Sequence, residues 1–238
     1  MMPVLLLAGW APHRALAQTT PAAAPATAPP AAARQPAMPA PPAPPRYLVL
    51  IDAAHGGDDS GATLKSGEPE REVTLQLALR LRALLQARGI ATEMTRTTDV
   101  SVDETARANR ANRSHAAACI ILHATSSGSG VHLFTSSLAP AHVSPRGFLP
   151  WQTAQASFIP QSLRLESNIN ETLTGRHLPV LMERTFLKPL DNLACPAVAV
   201  ELAPLSAASP ASNPQYRASV LEALTAALSA WRAERRQP

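Results

Sequence analysis

Residues 47–61, YLVLIDAAHGGDDSG, carry an almost unbroken apolar run, Leu48 to Ile51, that ends at Asp52 and delivers His55 into a glycine turn. The run lacks the polar alternation of a strand with one wetted face. It therefore predicts a strand buried on both faces, as in a parallel sheet covered by helices. In such sheets chemistry collects beyond the carboxyl ends of the strands, and His55 stands just past one.

The chain after this turn alternates between helical and extended patterns. Glu68 to Glu72 leads into Val73, Leu77, Leu81 and Leu84 at helical spacing, which predicts a helix to about Arg88 that stops at Gly89. Ile90 to Thr95 reads as a strand, and Ser101 with Glu104 reads as a capping box opening a second helix. Ala117 to Leu122 is another buried strand, followed directly by His123, and Val131 to Thr135 is a further strand. Residues 136–189 are interrupted by prolines and polar residues. They read as an irregular insertion or covering segment with one helix around Ser162 to Leu173. Pro196 to Leu202 is again a buried strand and contains Glu201 near its end. Asn213-Pro214 starts a last helix with Leu221, Leu224, Leu228 and Trp231 on one face. This alternation defines an α/β domain with a mostly parallel sheet.

Upstream of Arg46 the composition changes. Residues 18–45 are almost entirely Pro, Ala and Thr and cannot bury enough surface to offset their ordering entropy, so a disordered linker is expected. Residues 1–17 hold a short apolar core and the small-x-small triplet Ala15-Leu16-Ala17, which reads as an export signal, although no basic residue precedes the core. No later apolar run reaches the roughly 20 residues that span a bilayer. The folded domain is expected over 46–236, as a monomer without stable membrane insertion. The formal charge of +4 is spread along the chain and forms no basic stripe, which argues against nucleic acid. Cys119 and Cys195 are distant in sequence and outside any CxxC pattern, so buried free thiols are expected, with a disulfide as the second option.

Three apolar strands thus bring His55, His123 and Glu201 to one sheet edge, and the first helix start adds Glu68, Glu70 and Glu72. Two histidines and a carboxylate can hold Zn2+ and leave a fourth position for water, whose pKa falls to about 7. A second carboxylate can take the water proton and pass it to a leaving amine, which suffices to hydrolyse an amide. Acidic residues in a first helical turn also simply complement the helix dipole. Glu201 is harder to dismiss, because a carboxylate at the end of an apolar strand needs a partner. His13, His115, His132, His142 and His177 are read as structural.

Ile51 to Ala62, IDAAHGGDDSGA, resembles the IDPGHGGxDxGA opening of the zinc-dependent N-acetylmuramoyl-L-alanine amidases of type 3. Glu70-Arg71-Glu72-Val73 resembles their E-K-D-V, and Thr95 to Asp99 their T-R-x-x-D. Arg107 with Ala111-Asn112-Arg113 is similar to their second-helix pattern. Ile120-Ile121-Leu122-His123-Ala124 resembles S-I-H-A, and Pro196 to Glu201 resembles P-A-V-L-V-E. The resemblance implies a three-layer αβα, phosphorylase/hydrolase-like architecture and zinc ligands His55, Glu70 and His123, with Glu201 as the catalytic carboxylate. It also implies peptidoglycan as substrate, cut between N-acetylmuramic acid and L-alanine, and a periplasmic or secreted location. It alone selects Glu70 over Glu68 and Glu72. A non-catalytic wall-binding relative and a zinc peptidase cutting within the stem peptide are the competing readings. Ala53-Ala54 stands where the family has Pro-Gly, Thr125 replaces Asn or Asp, and Leu202 to Ser206 replaces G-F-L-S-N. No segment resembles the regulatory helix of some family members, and an activator partner is left unassigned.

Overall fold

The computed structural model describes residues 47–141, 150–206 and 210–235, within a compact unit spanning Pro44–Pro238. The export-signal and linker segments expected over 1–45, with His13, and also His142, lie outside the described residues. Six strands form one sheet: β1 (Leu48–Ala53), β2 (Ala91–Met94), β3 (Ala118–Ala124), β4 (Val131–Ser136), β5 (Val180–Thr185) and β6 (Ala197–Leu202). Their order is β2-β1-β3-β6-β4-β5. The first four in that order run parallel, β4 runs antiparallel to β6, and β5 runs parallel to β4. The sheet is therefore mixed but mostly parallel.

The two faces of the sheet are covered unequally. One face presents Val49 and Ile51, Ile120 and Leu122, Val198 and Val200 to helices α1 (Glu70–Ala87), α3 (Ile159–Thr174) and α4 (Pro214–Glu234). The opposite face presents Leu50, Cys119, Ile121, Ala197 and Ala199 to α2 (Glu104–Ser114) and to a short 3-10 turn, Leu190–Asn192. Layers of helix, sheet and helix result, as expected for strands apolar on both sides. Val73, Leu77, Leu81 and Leu85 of α1 are essentially inaccessible to solvent. Burying each contributes roughly 1.5–3 kcal/mol, and together they hold Glu70, at the helix start, against the sheet edge.

Three expectations need revision. The buried free thiols are corrected to a disulfide between Cys119 and Cys195, with a Cα–Cα separation of 6.2 Å. Cys119 lies on β3 and Cys195 immediately before β6, and the two strands are neighbours, with Cys119 in register with Ala197. The capping box at Ser101 is also corrected. Asp103 caps α2 by accepting from Ala106 N–H at 2.7 Å. Ser101 Oγ instead donates to Gly56 O and accepts from Asp58 N–H, each at 3.2 Å. Within 136–189, α3 packs on the sheet and β5 extends it. β5 gave no sequence signal because Leu181, Met182, Glu183 and Arg184 are all exposed and carry no alternation.

Candidate functional site

The glycine turn is built by main-chain capture. Arg96 Nε donates to Ala53 O at 2.9 Å and its Nη2 to Ala54 O at 3.1 Å. Arg107 Nη1 donates to Ala53 O at 2.7 Å and to Asp52 Oδ1 at 2.6 Å, and its Nη2 donates to His55 O. Two buried guanidiniums thus fix the carbonyls of Ala53, Ala54 and His55. Their fork geometry supplies by hydrogen bonding the rigidity that a proline would supply covalently. His55 itself takes φ +61°.

Glu70 sits between two imidazoles. Its Oε2 lies 3.1 Å from His55 Nε2 and its Oε1 2.8 Å from His123 Nδ1. The N–H groups of Ala62 and Ala124 also donate to its two oxygens, at 2.9 and 3.1 Å. Burial alone would raise its pKa. The hydrogen bonds from His123, His55 and Ala62 outweigh that cost and hold the carboxyl far below the usual carboxylate range. The His55 pKa is raised, chiefly by its hydrogen bond to Glu70, against a smaller lowering by burial. On the far side of His55, Nδ1 meets Asp59 Oδ2 at 2.8 Å.

One nitrogen of each histidine and one oxygen of Glu70 lie within 4.8 Å of one another, which suits a single metal ion. The donor set of two nitrogens and one oxygen fits zinc. The surroundings fit as well. A carboxylate on His55 Nδ1 holds that nitrogen protonated, so Nε2 is the nitrogen that would turn a lone pair to a metal. Gly61, at φ +63°, passes so close that an added Cβ would fall 2.6 Å from His55 Cδ2 and 2.7 Å from Glu70 Oε2. Any side chain there would enter the space the donors share.

Glu201 arrives from β6, in register with His123 on β3. Partners in register on adjacent strands project to the same face, so the two side chains stand side by side. A cavity of about 590 Å3 opens beside the cluster, its lining including His55, His123, Asp59, Asp103, Arg107 and Lys188. The four residues singled out from the sequence thus fall at one sheet edge. Two contributors were not foreseen. Asp59 was visible only as part of the glycine turn. His132, read as structural, lies on β4 with Nδ1 2.9 Å from Glu201 Oε1. Its strand was legible from alternation, but the pairing of β4 with β6 was not.

An α/β domain with a His–Glu–His group fit for a metal at the carboxyl ends of parallel strands is the class that fold and site define. The family model described as N-acetylmuramoyl-L-alanine amidase matches residues 49–230, and the chain belongs to that family. Among curated relatives, the N-acetylmuramoyl-L-alanine amidase AmiC of Escherichia coli is 36% identical over 78 residues, 32% of this chain and 19% of that protein. The sporulation-specific N-acetylmuramoyl-L-alanine amidase of Bacillus subtilis is 39% identical over 82 residues, 34% of this chain and 32% of that protein. The matched stretch thus spans a third or less of these relatives' length. The catalytic domain of the amidase CwlV from Bacillus (Paenibacillus) polymyxa superposes with a TM-score of 0.63 at 21% identity. It covers 79% of this chain and 98% of that domain, and establishes likeness of fold.

Proposed function

We propose that the protein is a zinc-dependent amidase that hydrolyses the bond between the lactyl group of N-acetylmuramic acid and L-alanine in peptidoglycan. The observation that carries this reading is the His55–Glu70–His123 group, with Glu201 in register beside His123. Family membership supports the substrate class.

His55, Glu70 and His123 would hold the zinc, which when bound supplies Lewis acidity toward an amide carbonyl and a lowered pKa for water. Asp59 orients the His55 ring, and the main-chain N–H groups of Ala62 and Ala124 orient the Glu70 carboxylate. The clamp of Arg96 and Arg107 fixes the turn, so the donor geometry is set before substrate arrives. Glu201 takes a proton from the attacking water at a carboxylate oxygen and returns it to the departing L-alanine nitrogen. The adjoining cavity gives the substrate a place beside the cluster.

The disulfide supports an oxidising compartment, consistent with a periplasmic or secreted protein acting on cell wall. Among the described residues no helix is long and apolar enough to cross a membrane. Purified protein incubated with cell-wall sacculi tests the reading. Stem peptides bearing a free N-terminal L-alanine are expected, and a chelator is expected to stop their release. Fragments cut within the stem would instead favour a peptidase. Sacculus binding without cleavage, unaffected by the chelator, would favour a wall-binding protein.

A further inference from the structure

We infer that His132 is a positioning residue for Glu201, so that the proton-transferring end of the site is a cross-strand Glu201–His132 pair rather than a lone carboxylate. The inference rests on the amidase reading for its kinetics but not for its geometry.

β4 pairs antiparallel with β6, with His132 in register with Glu201, while Glu201 is also in register with His123 of β3. His123, Glu201 and His132 therefore form one row across three adjacent strands, all on the same face. Glu201 stands in the middle, between a candidate metal ligand and a second imidazole. His132 Nδ1 lies 2.9 Å from Glu201 Oε1, and its Nε2 lies 3.2 Å from Ser129 O. A carbonyl oxygen only accepts, so Nε2 carries a hydrogen and donates it. The ring is thereby held at both nitrogens, one by the main chain and the other by the carboxylate.

The loop before β4 closes on the ring. Gly128, at φ +76°, runs so near that an added Cβ would lie 2.5 Å from His132 Cε1 and 2.9 Å from Nε2. That loop is tied down in turn, with Gly130 N–H donating to Pro204 O at 3.0 Å and Ala203 N–H to Gly130 O at 2.9 Å. Phe134, two residues along the strand, meets the imidazole edge-on with ring centroids 6.2 Å apart. The imidazole is thus confined by backbone and by an aromatic ring, and only 11% of the side chain is exposed.

A glutamate has three side-chain torsions, and a carboxylate at a strand end left to itself samples many orientations. Anchoring Oε1 to a fixed imidazole removes that freedom and leaves Oε2 as the oxygen that meets water. Such orientation acts on the rate of the chemical step more than on substrate binding. A histidine serving only to stabilise the strand pair would give no such selectivity.

Two measurements on the full chain test this. The first needs no variant at position 132. In 15N spectra of the ring, His132 is expected to show a hydrogen on Nε2, and its Nδ1 resonance is expected to move in Glu201→Gln. An Nδ1 resonance indifferent to Glu201→Gln would overturn the pairing. The second compares His132→Leu with His132→Asn, whose amide nitrogen approaches the position of Nδ1. The leucine variant should lose roughly 10- to 100-fold in kcat for stem-peptide release, with KM and bound zinc unchanged. The asparagine variant should recover much of that loss. Unchanged kcat in the leucine variant, or equal losses in both, would overturn the role. If the unmutated protein released no peptide, the amidase reading would fall, while the ring measurement would still decide the pairing.

Discussion

Glu70 is the residue on which the site closes, because it touches both histidines and two main-chain N–H groups. The expected consequence is a sharp division of labour among single variants. Glu70→Gln should abolish stable zinc binding, read as metal content after gel filtration. Glu201→Gln should keep the metal and lower turnover by roughly 10^2- to 10^4-fold, the usual contribution of a positioned general base. Asp59→Ala should weaken zinc affinity by about 10- to 100-fold without removing it, because it only orients His55. A Glu201→Gln protein that lost its metal would place that carboxylate among the ligands instead. At this scale the sequence was informative where a residue sits at the end of an apolar strand, as His123 and Glu201 do. It was silent where function depends on a partner across the sheet, as for His132, because cross-strand neighbours depend on strand order and register.

Among the elements, α3 carries a feature that bears on stability rather than on chemistry. Glu166 is buried on it, its Oε1 has no hydrogen-bond partner among the described residues, and desolvation pushes its pKa up to about 7 despite an opposing pull from Arg184. The folded state therefore keeps a proton that the unfolded chain releases at about 4.5. Stability from this group is complete below that value and is lost as pH rises through 7. Replacing it by an uncharged isostere should remove the dependence. Urea unfolding of Glu166→Gln and the unmutated protein should agree near pH 4.5 and diverge to roughly 3 kcal/mol in favour of the variant at pH 8. A constant difference across that range would contradict the assignment. The α3 pattern was readable from its apolar spacing, whereas β5 was not, because an edge strand exposed on both faces needs no alternation to stay in the sheet. The α2 cap was misplaced by two residues because Ser101 and Asp103 are both good caps, and only the glycine turn decides that Ser101 is occupied elsewhere.

Across the whole molecule, one sheet edge gathers side chains from β1, α1, β3, β6 and β4, and the disulfide locks β3 to the approach of β6 just behind it. Cys119 and Cys195 are 76 residues apart, and closing a loop of that length in the unfolded chain should contribute about 4 kcal/mol. Cys119→Ser with Cys195→Ser should accordingly lower the urea midpoint without changing which bond is cut. The parallel core was legible because strands apolar on both faces have no alternative environment. The turn away from parallel order at β4 was not, since a hydrophobic pattern carries no direction. The central claim is that this edge is a zinc site cutting the bond between sugar and peptide. The most direct test is mass spectrometry of fragments released from sacculi by the zinc-loaded protein and by Glu201→Gln. Intact stem peptides beginning with free L-alanine are expected from the first, and release slower by roughly 10^2- to 10^4-fold from the second. Fragments cut inside the stem, or equal release by both proteins, would contradict it.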